Sequence, residues 1–278
     1  MKIDIQLTPS EVLQETLTSL TDLYGAFPSD FIGQLFTDVE QLFTASWKEY
    51  QRIDSGYHDL EHTLRATQCL VRLLVSCQRE TGNIPVDKCM IGITAMLLHD
   101  MGFLKEAGDV AGAGGQYTLA HQTRSCQFAH KYLHEKDWLS VDVLSVETLI
   151  HCTALNTHLN KISFLDSVDE ILGKAIATAN VLGQMSDPAY IKKLYFLYEE
   201  LREADTFRGV EDKQRLYQSP EALIGKTPGF WIHVRRDKLD NDYDALYKYL
   251  ADPYPNGNNP YIQAIEANMQ RIRALVGV

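Results

Sequence analysis

The sequence has few of the features that mark fibrous, disordered or membrane-spanning chains. Its 278 residues include only 9 prolines and 17 glycines, too few for a collagen-like or low-complexity protein. The longest apolar stretch, residues 89–98, is far too short to cross a bilayer. The first residues carry charges and lack the apolar segment of a signal peptide. We therefore expect a soluble, cytoplasmic protein with no membrane partner.

Basic residues and paired cysteines are also scarce. The 26 lysines and arginines are outnumbered by 37 acidic residues, so the formal net charge is −11. Proteins that bind nucleic acid usually carry a basic surface, so no nucleic-acid partner is expected. The five cysteines are odd in number, scattered, and never spaced as C-x-x-C. This pattern predicts reduced thiols and argues against a disulfide framework.

Alternating, strand-like patterns are rare, and helical periodicity dominates. The sequence predicts one all-α domain over residues 1–278 that ends in a helical C-terminal elaboration. A glycine-rich loop is predicted at residues 102–116, between two histidine-bearing segments. We predict helices at about residues 9–25, 29–50, 60–78, 86–100, 119–135, 141–151, 168–186, 188–204 and 260–275.

Several of the nine histidines lie at predicted helix ends. His58 and His62 are four residues apart at a helix start, so both can face one pocket. His99 and Asp100 end a strongly apolar helix, where an imidazole and a carboxylate are costly to bury unless a partner such as a metal satisfies them. His121 opens one helix and His151 ends another. The remaining histidines are predicted to have no role in a site: His130, His134, His158 and His233.

Two motifs point to a family. Tyr57-His58-Asp59-x-x-His62 and Leu97-Leu98-His99-Asp100-x-Gly102 resemble the HD-domain superfamily of metal-dependent phosphohydrolases. The first is also similar to the Tyr-His-Asn-x-x-His signature of cyclic-nucleotide phosphodiesterases, with Asp59 in place of Asn. The resemblance covers about residues 50–190 and implies an HD-type helical bundle with a metal centre in its middle. Residues 191–278 then form a helical extension.

The resemblance also implies roles for individual residues. His62, His99 and Asp100 match metal ligands, and His121 and His151 match the histidines that bind a second metal in binuclear members. His58 matches the histidine that protonates the leaving oxygen, and Asp100 would bridge the metals. The implied cofactor is one or two divalent ions, for which mixed imidazole and carboxylate ligands suit Fe, Mn, Zn or Ni and allow Mg.

One position departs from the family pattern. Asn180, within Ala179-Asn180-Val181-Leu182, stands where the family has a closing aspartate, and its neutral amide should weaken the site. Asp187 is an alternative on the same helical face, but it lies about 10 Å further along the axis and precedes Pro188, where it suits a capping role. We therefore predict Asn180 as the closing ligand. Lys105 and Arg124 flank the predicted ligands and are predicted to bind substrate phosphate.

The predicted function is that of a metal-dependent phosphohydrolase, either a phosphodiesterase or a phosphomonoesterase. It would act on a small nucleotide or related phosphoester through metal-activated water. Two alternatives remain open. One is a di-iron HD-type oxygenase, and the other is a degenerate HD domain that serves as a ligand-binding or signalling module. A homodimer is also left open.

Overall fold

The computed structural model describes residues 3, 6–45, 47, 50–109, 112 and 114–277; residues 110, 111 and 113 of the predicted glycine-rich loop lie outside it. The described chain is essentially all-α, as predicted. Its only sheet pairs two short strands, β1 (Tyr50–Gln51) and β2 (Lys105–Glu106), in antiparallel register. The α-helices are α1 (Pro9–Tyr24), α2 (Ser29–Thr44), α3 (Leu60–Thr81), α4 (Val86–Leu98), α5 (His121–His134), α6 (Ser140–Cys152), α7 (Ser167–Met185), α8 (Tyr190–Phe207), α9 (Pro220–His233) and α10 (Pro260–Val276).

Helix starts follow local capping chemistry. Thr8 and Glu11 form a capping box at the start of α1. At the start of α3 the side chain of Asp59 accepts a hydrogen bond from the His62 amide, 2.8 Å away. Gly82 ends α3 in the left-handed region, with φ 68°, which a glycine adopts without strain. Caps of this kind explain why most helix ends lie close to their predicted positions.

The predicted end of α2 is wrong. The helix was expected to reach about residue 50, but it ends at Thr44, and Tyr50 instead pairs with Glu106 in the small sheet. The Tyr50 ring also packs edge-on against Phe128, with centroids 5.6 Å apart. These partners are more than 50 residues away, so tertiary contacts override the local helical tendency here.

The core is built around α4, whose residues from Cys89 to Leu98 are all buried. It packs against α2, α3, α6 and α7. Helices α3 and α7 cross closely at Gly183, where an added Cβ would lie 2.7 Å from the Ala66 nitrogen. The absence of a side chain at this position brings the start of α3 and the end of α7 to the same region of the bundle.

The C-terminal helices pack directly on the rest of the bundle. α9 contacts α8 and α10, and α10 contacts α7. The Asn268 side chain in α10 donates to the carbonyls of Met185 and Asp187, at 2.8 and 2.9 Å. All five cysteines are free and buried, as expected. No helix within the described ranges combines the length and apolar character needed to cross a membrane.

Candidate metal centre

Three side chains with metal-ligating atoms meet in the core. His62 lies in the first turn of α3, and His99 and Asp100 follow directly after α4. The two imidazole Nε2 atoms are 3.2 Å apart, and they lie 3.2 and 3.1 Å from Asp100 Oδ2. All three residues are buried, and together they could hold a metal ion.

The spacing of these atoms fits a divalent metal. Donor atoms bound about 2.1 Å from a common ion lie roughly 3.0–3.4 Å from one another in octahedral or tetrahedral geometry. His99 Nδ1 donates to the Met96 carbonyl at 2.7 Å, so Nε2 is the ring nitrogen that faces the other two donor atoms. Asp100 Oδ2 has no hydrogen-bond partner among the described residues. Converging lone pairs repel one another unless a cation lies between them.

The protonation states also suit ligation. Burial lowers the pKa of His62 despite the opposing effect of Asp100, so its ring is neutral at pH 7. Burial alone would raise the pKa of the Asp100 carboxyl, but neighbouring His99 and His58 outweigh it and hold that pKa well below its usual range. The centre therefore offers the neutral imidazole of His62 together with the ionised carboxylate of Asp100.

A cavity of about 290 Å³ opens beside these ligands, and its lining includes His58, His62, Asp100, His121 and Asn180. His121 Nδ1 donates to the Thr118 carbonyl at 2.7 Å, which leaves its Nε2 to act as a ligand. Burial lowers the pKa of His121 and keeps the ring neutral. His121 is thus a further ligand candidate at the same cavity.

Asn180 also lines the cavity, as its predicted role requires. Its Nδ2 donates to the Thr153 carbonyl at 3.3 Å, while the buried Oδ1 has no hydrogen-bond partner within the described part of the chain. Asp187 does not line the cavity. Its side chain lies 3.3 Å from Arg65 Nε and accepts from the Ala189 amide. Asn180 therefore faces the cavity, whereas Asp187 is held by Arg65 and by the start of α8.

His151 is not brought to the centre. Although it ends α6 as predicted, its side chain is exposed, and its Nε2 lies 3.4 Å from Cys126 Sγ. The neighbouring residues Ile150 and Cys152 point into the core, so the α6 backbone turns His151 away from the cavity. The prediction that His151 helps to bind a second metal at this centre therefore finds no support in its position.

The predicted phosphate ligands Lys105 and Arg124 lie outside the cavity lining, and both are engaged elsewhere. Lys105 Nζ donates to the Gly112 carbonyl at 3.1 Å. Arg124 donates to the carbonyls of Gly102 and Leu104 and stacks 3.8 Å above the ring of Tyr117. Arg124 thus holds the turn that follows the His-Asp pair, because those carbonyls have no helical partner. The cavity is instead lined by a different cation, Lys226 of α9.

Glu200 of α8 was not predicted as a site residue, yet it orders the segment that carries His58. Its Oε2 lies 2.8 Å from His58 Nδ1, and its Oε1 accepts from the Tyr57 amide at 3.1 Å and from the Ser55 hydroxyl. Burial opposes a charge on His58, but the Glu200 and Asp100 carboxylates outweigh it and raise the pKa of His58 to about 9. More than 140 residues separate this pair, and no local pattern marks it.

The arrangement can hold a divalent ion at a cavity wall and present a protonated imidazole to the same cavity. The His58 ring is fixed by stacking on Phe103, which also stacks on His121, with centroid distances of 4.5 and 4.7 Å. A metal held there would act as a Lewis acid close to a proton donor, and these two groups are the ones that metal-ion and general-acid catalysis require. No protein-family model matches this chain, and no curated protein matches it.

Proposed function

We propose that this protein is a metal-dependent hydrolase of small phosphoesters, with the HD-type site that its two motifs resemble. One observation carries the proposal. The donor atoms of His62, His99 and Asp100 converge at 3.1–3.2 Å, and Asp100 Oδ2 accepts no hydrogen bond from the described residues. The cavity beside them is also lined by His58.

In this proposal His62, His99 and Asp100 hold the ion, and His121 and Asn180 complete its surroundings. A divalent ion bound there supplies Lewis acidity toward a phosphoryl oxygen and toward water. Asp100 contributes a single negative charge against the two positive charges of such an ion, so the centre favours an anionic substrate. Mixed imidazole and carboxylate donors suit Fe, Mn, Zn or Ni.

His58 would act as the general acid. Its pKa of about 9 keeps the ring protonated at neutral pH. His58 Nδ1 is hydrogen-bonded to Glu200, so Nε2 is the nitrogen that can give a proton to the leaving oxygen. Because Glu200 and Phe103 both fix the ring, the proton is held in place before a substrate binds.

Of the two alternatives, one is favoured by a specific observation. Asn180 brings no negative charge to the cavity, which suits a degenerate module that binds a ligand without turning it over. A di-iron oxygenase needs ligands for two ions, and the exposed position of His151 removes one of the predicted ligands. The oxygenase is therefore the weaker alternative.

The test is to measure metal content and turnover in the same preparation. We expect about one transition-metal ion per chain by elemental analysis, together with hydrolysis of p-nitrophenyl phosphate, bis-p-nitrophenyl phosphate or nucleotides when Mn, Fe, Ni, Zn or Mg is supplied. Asp100→Asn should remove both properties, because it removes the carboxylate without changing the shape of the side chain. The matched control is His233→Gln, which alters a histidine outside the cavity lining.

The outcomes separate the candidates. Neither metal nor turnover with any of the five ions would overturn the proposal. Tight metal binding without turnover would favour the ligand-binding module. Oxygen consumption with a mixed-valent iron signal would favour the oxygenase.

A further inference from the structure

The cavity beside the metal centre has a largely apolar wall. From α8 it is lined by Tyr190, Leu194, Leu197 and Leu201, whose spacing of three and four residues forms one stripe along the helix. Leu197 and Leu201 are only partly buried, so part of their surface is left for a ligand. Leu223 and Phe230 of α9 continue the wall.

This wall adjoins the proposed general acid. Glu200, which holds His58 Nδ1 at 2.8 Å, lies on α8 between Leu197 and Leu201. A general acid gives its proton to the oxygen of the departing group. The part of the substrate attached to that oxygen must therefore lie on the His58 side of the site, next to the α8 stripe.

The α8 and α9 wall carries few polar groups, and they lie at Tyr190, Lys226 and Thr227 rather than along Leu194, Leu197 and Leu201. The Thr227 hydroxyl already donates to the Leu223 carbonyl at 3.1 Å. Lys226 is exposed, and its amine lies 5.2 Å from the centre of the Tyr217 ring. The glutamines that line the cavity, Gln122 and Gln184, come from α5 and α7. A nucleobase or sugar placed against Leu194, Leu197 and Leu201 would find no hydrogen-bonding partner on these three side chains, which disfavours it relative to a hydrocarbon group.

We propose that the substrate is a phosphoester of an apolar alcohol, aliphatic or aromatic, and that α8 and α9 hold its hydrocarbon group. The inference rests on the proposed function and narrows it from small phosphoesters in general. In the reaction, water adds to phosphorus and the bond from phosphorus to the alkoxy oxygen breaks. His58 gives its proton to that oxygen, and one proton of the attacking water passes to solvent, from which His58 is protonated again. The products are the apolar alcohol and phosphate. Leu197 and Leu201 become specificity-determining residues.

The test uses alkylphosphonates, which bind as phosphoester analogues but cannot be hydrolysed. Methyl-, butyl- and hexylphosphonate are titrated into the Mn²⁺-loaded protein by calorimetry. We expect affinity to rise up to about fourfold for each methylene that is buried against the wall. We also expect hexylphosphonate to bind more tightly than adenosine monophosphate.

Two variants test whether α8 holds the hydrocarbon group. The double variant Leu197→Gln, Leu201→Gln keeps helix-forming residues of similar size but makes the wall polar. The affinity for alkylphosphonates should then no longer depend on chain length. Methylphosphonate should still bind within about threefold of its wild-type affinity. The matched control is Leu144→Gln, an exposed leucine of α6 outside the cavity lining, which should keep the wild-type dependence.

The outcomes for this inference differ from those for catalysis. An affinity independent of chain length, or a preference for adenosine monophosphate, would overturn the apolar substrate even if phosphoesters were hydrolysed. A steep dependence on chain length without turnover of any ester would support the apolar site while the proposed hydrolysis failed. The wild-type series involves no substitution, so it decides the question even if the double variant does not fold.

Discussion

At the scale of single residues, the charge of the proposed metal site depends on Asn180, which stands where a carboxylate was expected. Its unpaired Oδ1 and its place in the cavity lining suit a ligand, but its amide carries no charge. With Asp100 as the only carboxylate of the buried cluster, a divalent ion keeps a net positive charge. Such a site attracts anions well but holds its ion less firmly than a site with two carboxylates.

We expect Asn180→Asp to raise metal affinity by about tenfold or more, because a carboxylate beside a divalent ion is favourable even after its desolvation cost. Calorimetric titration with Mn²⁺ or Zn²⁺ measures the change. Gln184→Glu is the matched control, since it adds the same charge to the same cavity one helical turn further along α7. Equal affinities in the wild type and Asn180→Asp would mean that residue 180 is not a ligand.

The pairing of His58 with Glu200 should set the pH range in which the protein is active. Glu200→Gln keeps a hydrogen-bonding oxygen but removes the charge, so burial should dominate and lower the pKa of His58 from about 9. His58 is mostly protonated only below its pKa, so a lower pKa means that activity is lost at a lower pH. We expect the alkaline limb of the pH–activity profile of Glu200→Gln to move to lower pH by more than about one unit. Histidine ring signals followed by NMR in metal-free protein report the same shift without turnover.

Glu199→Gln is the control for this variant, because Glu199 is exposed and pairs with Arg202 rather than with His58. It should leave both the pH profile and the NMR titration unchanged. An alkaline limb that stays in place in Glu200→Gln would show that His58 is not the group that titrates.

The same pair affects stability. The pKa of His58 is raised from 6.5 to about 9 on folding, so the stabilisation is fully present below pH 6.5 and is lost as pH rises through 9. We expect the free energy of unfolding in urea to fall between pH 6 and pH 9.5 in the wild type. The fall should be smaller in Glu200→Gln, and equal falls would contradict the assignment.

At the scale of elements, the start of α5 holds the turn that follows the His-Asp pair. Ser125 Oγ donates to the His99 carbonyl and accepts from the Gly102 amide. Gly102 allows this approach, because an added Cβ would lie 1.9 Å from the His121 carbonyl oxygen. One helix therefore positions His121 and also fixes the backbone that carries His99 and Asp100.

The crossing of α3 and α7 at Gly183 is a second packing contact that positions residues of the proposed site. Gly183→Ala should destabilise the protein by about 1–3 kcal/mol, because its Cβ would overlap the α3 backbone at Ala66. It should also weaken metal binding, since α3 carries His62 and α7 carries Asn180. Urea unfolding and metal titration measure the two effects.

Gly33→Ala is the matched control, a helical glycine in α2 with nothing within 4 Å of an added Cβ. It should stabilise the protein by up to about 1 kcal/mol through helix propensity alone. Both variants replace glycine by alanine within a helix. If Gly183→Ala lowers the free energy of unfolding and Gly33→Ala raises it, the loss comes from the contact between α3 and α7. A neutral result for Gly183→Ala would show that α3 and α7 can separate without cost.

For the whole molecule, metal binding should be linked to folding, because the ligands come from separate helices and meet only in the native state. A metal at about 100 times its dissociation constant should add about 2.7 kcal/mol to the free energy of unfolding. Unfolding measured with Mn²⁺ or Zn²⁺ and after chelation gives this difference. Asp100→Asn should abolish the gain and His233→Gln should keep it, whereas a gain retained in Asp100→Asn would place the metal elsewhere.

Much of the fold could be predicted, but the site only in part. The apolar stretch that forms α4 and the capping residues around Thr8 and Asp59 act over a few residues, so the sequence displays them directly. The end of α2 could not be predicted, because the pairing of Tyr50 with Glu106 depends on a partner in another part of the chain.

The sequence by itself determined an all-α chain and a His-Asp pair at the end of a buried helix, because periodicity, caps and burial are local properties. Only the tertiary structure decided which histidines share a cavity. It gathered His62, His99 and Asp100, left His151 exposed, and engaged Arg124 in holding a turn. It also supplied Glu200 from a distant helix. Such contacts depend on how helices pack and rotate against one another, and no short stretch of sequence records that.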